Sequence, residues 1–143
     1  MTREATIRNS LSIKTTSLDY RSHPTAFVED VSGEKGPVPG AFTATIAGTN
    51  VDLTELTIPG LCRIMNLDPT NYVDVGIWDP ETLLFYPFME VRPGAYYIFR
   101  LSRNLFAEYG TDPTEGTVGP NTNQLRIKAN VASCTVLVEV FEA

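Results

Sequence analysis

One histidine and two cysteines in 143 residues leave little material for side-chain chemistry. Nucleophilic catalysis needs a nucleophile, a base and an orienting group within reach of one another. His23, in Tyr20-Arg21-Ser22-His23-Pro24, has the local context of an exposed turn before a strand. Zinc needs clustered Cys and His, whereas Cys62 and Cys134 stand far apart, each in an apolar stretch that suits a buried free thiol. Basic residues are also scarce: 11 against 17 acidic ones give a net charge of −6, a field that repels phosphate backbones and anionic lipid. Nucleic acid and membrane are therefore excluded as expected partners. No glycine-rich phosphate loop is present, and no apolar run reaches membrane-spanning length. The opening Met1–Asn9 lacks the apolar stretch of a secretory signal, so a reducing cytosol is the expected place of synthesis.

Helical spacing of apolar residues is missing as well, and period-two alternation takes its place. With 43% hydrophobic residues and this length, the chain suits one domain able to bury roughly 70% of its unfolded surface. Ala5–Lys14 alternates Ile7, Leu11 and Ile13 with Arg8, Ser12 and Lys14, a sparse apolar face suited to an edge strand or arm. Thr25–Val31 reads as a second strand. The following Gly33-Glu34-Lys35-Gly36-Pro37-Val38-Pro39-Gly40 reads as a loop, because its glycines and prolines disfavour a ladder. Ala41–Ala47 and Val51–Leu56, joined by Gly48-Thr49-Asn50, predict a hairpin.

Leu61–Leu67, Tyr72–Ile77, Leu83–Val91 and Ala95–Leu101 continue the strand pattern, separated by Asp68-Pro69-Thr70-Asn71, Asp79-Pro80-Glu81-Thr82 and Arg92-Pro93-Gly94 turns. Pro87 assigns its strand to an edge or a bulge. Ala95–Leu101 carries large apolar residues on both parities, predicting that both faces are at least partly covered. Asn104–Tyr109 has room for one helical turn, and Gly110–Asn123 is the longest loop. Leu125–Val131 and Cys134–Phe141 predict a closing hairpin around Ala132-Ser133. About nine short strands at turn-punctuated intervals define an all-β, antiparallel β-sandwich, a jelly roll or related Greek-key arrangement. Residues 1–14 form its N-terminal strand or arm, and residues 15–143 a single sandwich domain.

Oxygen ligands Asp68, Asn71, Asp74, Asp79 and Glu81 lie close in sequence, but beside Pro and Gly they are first of all turn formers. No cofactor and no metal site is expected. Among the aromatics crowded into residues 78–99, Trp78 precedes the Asp79-Pro80 turn and is a candidate contact for a sugar or a protein neighbour. Arg3, Arg8 and Lys35, on the arm and the Gly/Pro-rich loop, complete the candidate contact residues.

From Gly60 onward the pattern Pro59-Gly60, Asn66-Leu67-Asp68-Pro69-Thr70-Asn71-Tyr72-Val73-Asp74-Val75-Gly76 and Pro87-Phe88-Met89-Glu90-Val91-Arg92-Pro93-Gly94 resembles small virion proteins of tailed bacteriophages. The resemblance covers about the second half of the chain and carries a scaffold without a chemistry. It implies a non-enzymatic virion structural protein, made in the host cytoplasm. Its expected role is a capsid decoration or cement protein that contacts the major capsid protein or other virion proteins as a homo-oligomer, a trimer being one arrangement. The arm Met1–Lys14 and the loop Ser32–Gly40 are the expected contacts. A tail or neck structural protein and a carbohydrate-binding sandwich with Trp78 as platform are the alternatives.

Overall fold

The computed structural model describes residues 4–31, 33–106, 119 and 122–143, apart from the side chain of Asp30. The chain divides into two compact units, Met1–Ser32 and Gly33–Ala143. Within the first unit, the stretch expected to form one strand breaks into β1 (Glu4–Ile7) and β2 (Leu11–Lys14). The segment around Tyr20, expected as a turn, contributes β3 (Asp19–Ser22), and β4 (Phe27–Asp30) follows.

β2 pairs with β3, and outside them β1 pairs with β4, so the unit is a long interrupted hairpin. The Thr15 N–H donates to Leu18 O at 2.6 Å, and the Leu18 N–H to Thr15 Oγ1 at 3.0 Å, closing its tip. Between the two ladders Pro24 has no N–H to donate, which accounts for the break. Cross-strand partners share a face: Leu11 and Ile13 lie with Ser22 and Tyr20, while Ser12 and Lys14 lie with Arg21 and Asp19.

The second unit is an all-β sandwich with eight strands among its described residues: β5 (Val38–Ala44), β6 (Thr49–Asn50), β7 (Pro59–Asn66), β8 (Val73–Asp79), β9 (Leu84–Val91), β10 (Tyr96–Arg100), β11 (Gln124–Ala129) and β12 (Cys134–Glu142). One sheet runs β10-β7-β12-β5 and the other β6-β11-β8-β9, all pairs antiparallel. Successive strands mostly alternate between the sheets, which is the strand order of a jelly roll.

Alternation along the central strands fills the space between the sheets. Cys62 and Ile64 of β7 and Val136, Val138 and Val140 of β12 meet Val73, Val75, Leu125 and Ile127 from the opposing sheet, all fully buried. Val51, Leu53, Leu56 and Phe106 add to this core from irregular segments.

Four local expectations are corrected. Val38-Pro39-Gly40 is not loop but the start of β5, where Pro39 lies opposite Glu139 and Gly40 opposite Val138. An edge strand tolerates Pro because its outward side needs no N–H. The expected hairpins across Gly48 and across Ala132-Ser133 are absent, because β5 and β12 lie in one sheet and β6 and β11 in the other. Each connection carries the chain from one sheet to the other, and β11 and β12 both point apolar residues inward.

Val51–Leu56 is not a strand beyond Asn50. Instead, Val51 N–H donates to Leu125 O and Leu56 N–H to Leu53 O, folding the segment onto the core. β10 is an edge strand: Leu101 is buried and Ala95 and Phe99 pack on the core from one face, while Tyr96 and Ile98 on the other are 58% and 43% exposed, so cover on that face is partial. The Asn104–Tyr109 turn is described as far as Phe106, which is buried; the rest of it, and most of the Gly110–Asn123 loop, lie outside the described residues.

Candidate functional site

The Asn66–Asn71 segment is a polar hinge between the sheets. Asn66, 1% exposed, donates through Nδ2 to Asn71 O at 2.8 Å and Val91 O at 3.1 Å, and its Oδ1 accepts from Asp68 N–H at 3.0 Å. Its backbone N–H donates to Ala95 O and its carbonyl accepts from Gly94 N–H, tying in the Arg92–Ala95 crossing. Gly94 takes φ 73°, the left-handed value that this turn requires.

Asp68 Oδ1 accepts from Thr70 and Asn71 N–H at 2.8 and 2.6 Å, and these bonds hold its carboxyl below the usual range. Asp79 caps the β8–β9 turn in the same way, accepting from Glu81 and Thr82, with its pKa likewise lowered, chiefly by the Thr82 hydroxyl. These acidic side chains are engaged with backbone donors, and among the described residues no group of three or more His, Cys, Asp or Glu is placed to hold a metal ion. Asp74 lies on the outer face between Glu90 and Lys128, and burial followed by Glu90 raises its pKa.

Trp78 is half-buried on β8, with Gln124 and Phe85 as cross-strand partners. The Arg126 guanidinium lies 3.5 Å from its ring centroid and donates through Nε to Asn50 Oδ1 at 2.6 Å. One face of the indole is therefore occupied by a cation–π contact, which competes with sugar stacking there.

Lys35 is pinned rather than extended: its Nζ donates to Glu55 O at 3.0 Å and its carbonyl accepts from Glu142 N–H at 3.0 Å. Arg8 is exposed between β1 and β2, and Arg3 lies outside the described residues. His23 is exposed just after β3. Trp78 and Lys35 thus stand on separate segments of the second unit, and Arg8 belongs to the first. Cys62 and Cys134 are both free and buried. Cys62 faces Val140 across the β7–β12 ladder, six positions along β12 from Cys134, or roughly 20 Å. Burial, with Glu139 adding to it, pushes the Cys62 thiol up to about 12.

Two apolar surfaces escape a reading by motif. The first belongs to the N-terminal hairpin, where no described side chain is buried and Leu11, Ile13, Leu18, Tyr20, Phe27 and Val28 are 39–54% exposed. The second lies where β9 and β10 meet at one edge of the sandwich. There Phe88 and Phe99 contact edge to face at 6.4 Å, while Tyr86, Phe88, Tyr96 and Ile98 remain well exposed. An alternation count marks such residues as core candidates; only their position at a sheet edge or in a two-stranded ladder leaves them uncovered. The chain matches no protein-family model, no curated protein and no solved structure.

Proposed function

We propose that this chain is a non-enzymatic structural protein of a tailed-bacteriophage particle, acting as a decoration protein on the assembled head. The observation that carries the binding role is the N-terminal hairpin: its strands pair, yet it buries no described side chain and exposes six large apolar ones. A two-stranded ribbon is marginal in water until something covers it, so such an element is suited to contact with a neighbour. The virion setting is supported by the resemblance of the Asn66–Gly76 and Pro87–Gly94 segments.

The mechanism is burial of this apolar surface against neighbouring virion proteins while the sandwich supplies a rigid body. Of the two segments expected to make contact, the N-terminal one extends to the whole hairpin. The Lys35 loop is held against Glu55 and Glu142 within its own unit. Quantitative mass spectrometry of purified particles tests the reading. Hundreds of copies per particle support decoration, a handful moves the protein to the neck or tail tip, and absence from particles removes the virion role. Glycan binding by the intact protein that is lost in Trp78→Ala would favour the carbohydrate-binding reading instead.

A further inference from the structure

Among the described residues the sandwich has four edge strands, and three carry devices that block the addition of another strand. β5 contains Pro39 and Gly40, β6 is two residues long, and β9 contains Pro87 at a bulge opposite Val75 and Gly76. β10, Tyr96-Tyr97-Ile98-Phe99-Arg100, has no proline, no glycine, no bulge, and no charge before Arg100.

Among the described residues its one ladder partner is β7. Asn66 N–H donates to Ala95 O and Leu101 N–H to Gly60 O, which places the odd-numbered residues of β10 in the bonds to β7. The N–H and C=O groups of Tyr96 and Ile98 consequently point to the open edge. Their side chains, 58% and 43% exposed, lie on the outer face beside Met65 and Arg63.

The occupant of this edge follows from charge. Residues 1–32 hold four basic and four acidic residues, so the whole net charge of −6 belongs to residues 33–143. Two sandwiches meeting edge to edge would bring like charges together, whereas a neutral hairpin meets the sandwich without that repulsion. The hairpin also has what the edge needs: open strand edges of its own and an apolar face of Leu11, Ile13 and Tyr20 to continue the row begun by Tyr96 and Ile98.

We infer that β10 is an interface for a second copy of this chain, whose N-terminal hairpin adds to it as an extra strand pair. The contact is heterologous, hairpin of one copy to β10 of the next, so it generates a ring where the rotation closes and a filament where it does not. This inference rests on the partner-binding role of the hairpin proposed above and is independent of the virion setting. An experiment on purified protein therefore fails separately from the particle copy number.

Sedimentation velocity over a concentration series is the test, on the full chain and on three variants. Ile98→Pro removes an open-edge N–H without removing a bond to β7, and Ile98→Lys blocks the same edge with a charge if the proline disturbs folding. Tyr20→Lys alters the hairpin and leaves β10 intact. The full chain is expected to move from its 15.8 kDa monomer to larger species as concentration rises. Each variant alone, its sandwich confirmed by circular dichroism and cooperative melting, is expected to stay monomeric. An equimolar mixture of Ile98→Lys and Tyr20→Lys should recover a one-to-one pair that grows no further, since that mixture contains one competent hairpin and one competent edge. A full chain that stays monomeric at every concentration, an Ile98→Lys variant that assembles like the full chain, or a mixture that forms no pair would each overturn the proposal.

Discussion

Leu11 and Leu53 are the same side chain in two settings. Leu53 is fully buried between the two sheets, although it sits in an irregular segment; Leu11 is 52% exposed, although it sits in a regular strand. Regular pairing and burial are thus separable. The hairpin has a ladder without a core, while the sandwich has a core to which even its loops contribute. A ladder satisfies backbone groups but removes little apolar surface from water, and it is the second effect that stabilises a domain. The hairpin should depend on a neighbour for its order, and the sandwich should not.

Hydrogen exchange gives the sharpest separation. Amides of β7 and β12 should approach the full unfolding free energy of the sandwich, in the range of about 5–15 kcal/mol, whereas those of β2 and β3 in the monomer should exchange near the rate of an open chain. Equal protection in both units would erase the distinction. Truncation comes next: Leu53→Ala should cost about 3–4 kcal/mol in denaturant unfolding, and Leu11→Ala less than about 1 kcal/mol. A cost at Leu11 as large as at Leu53 would mean that the hairpin is covered within its own chain.

Asn66→Ala should lower sandwich stability by about 2–3 kcal/mol, because Val91 O loses its partner in a buried place and Asn71 O and Asp68 N–H lose theirs in part-buried ones. Acid should act on the same unit. Asp52, Asp68, Asp79 and Glu142 all have folded pKa values below their ordinary ones, set respectively by Thr54, by the Asn71 and Thr70 amides, by Thr82 and by Thr57. A depressed folded value contributes stability that is present above the unfolded value and is lost as pH falls through the folded one. Chemical unfolding followed downward from roughly pH 5 should show this loss setting in near pH 4. Asp68→Asn and Glu142→Gln should each flatten that acid limb, and an unchanged slope in both would remove these bonds from the account. The smallest effect belongs to Arg126→Ala, about 0.5–1 kcal/mol from its contact with Trp78, measured as a shift in melting.

Much of the scaffold was legible residue by residue. Alternation placed the strands at Leu61–Leu67, Tyr72–Ile77, Leu83–Val91 and Cys134–Phe141 within a few positions of β7, β8, β9 and β12. Asn66, Asp68 and Asp79 announced their turns because a short polar side chain accepting nearby backbone N–H groups is a local device. Pro87 marked an edge or a bulge, and both are present. Gly76 makes that bulge fit: an added Cβ would run into the Tyr86 carbonyl oxygen and approach Pro87 Cα at 2.7 Å, a contact visible only once β9 is laid beside β8.

The candidate contact surface was less legible. Tyr96, Ile98, Leu11 and Tyr20 alternate just as core residues do, and nothing local tells an inward position on a central strand from an outward one at an edge. His23-Pro24 concealed the neighbouring strand Asp19–Ser22, whose ladder exists only because Leu11–Lys14 returns beside it.

The amino-acid sequence by itself determined the all-β class, most strand positions, the turns and the acidic net charge, because alternation, turn chemistry and charge are properties of neighbouring residues. The tertiary structure alone decided which strands share a sheet, that β5 with β6 and β11 with β12 are crossings rather than hairpins, and that β10 has one ladder partner among the described residues. Those outcomes depend on pairings between residues distant in the chain, where burying both apolar faces against each other outweighs the local preference of a short connection to fold back on itself.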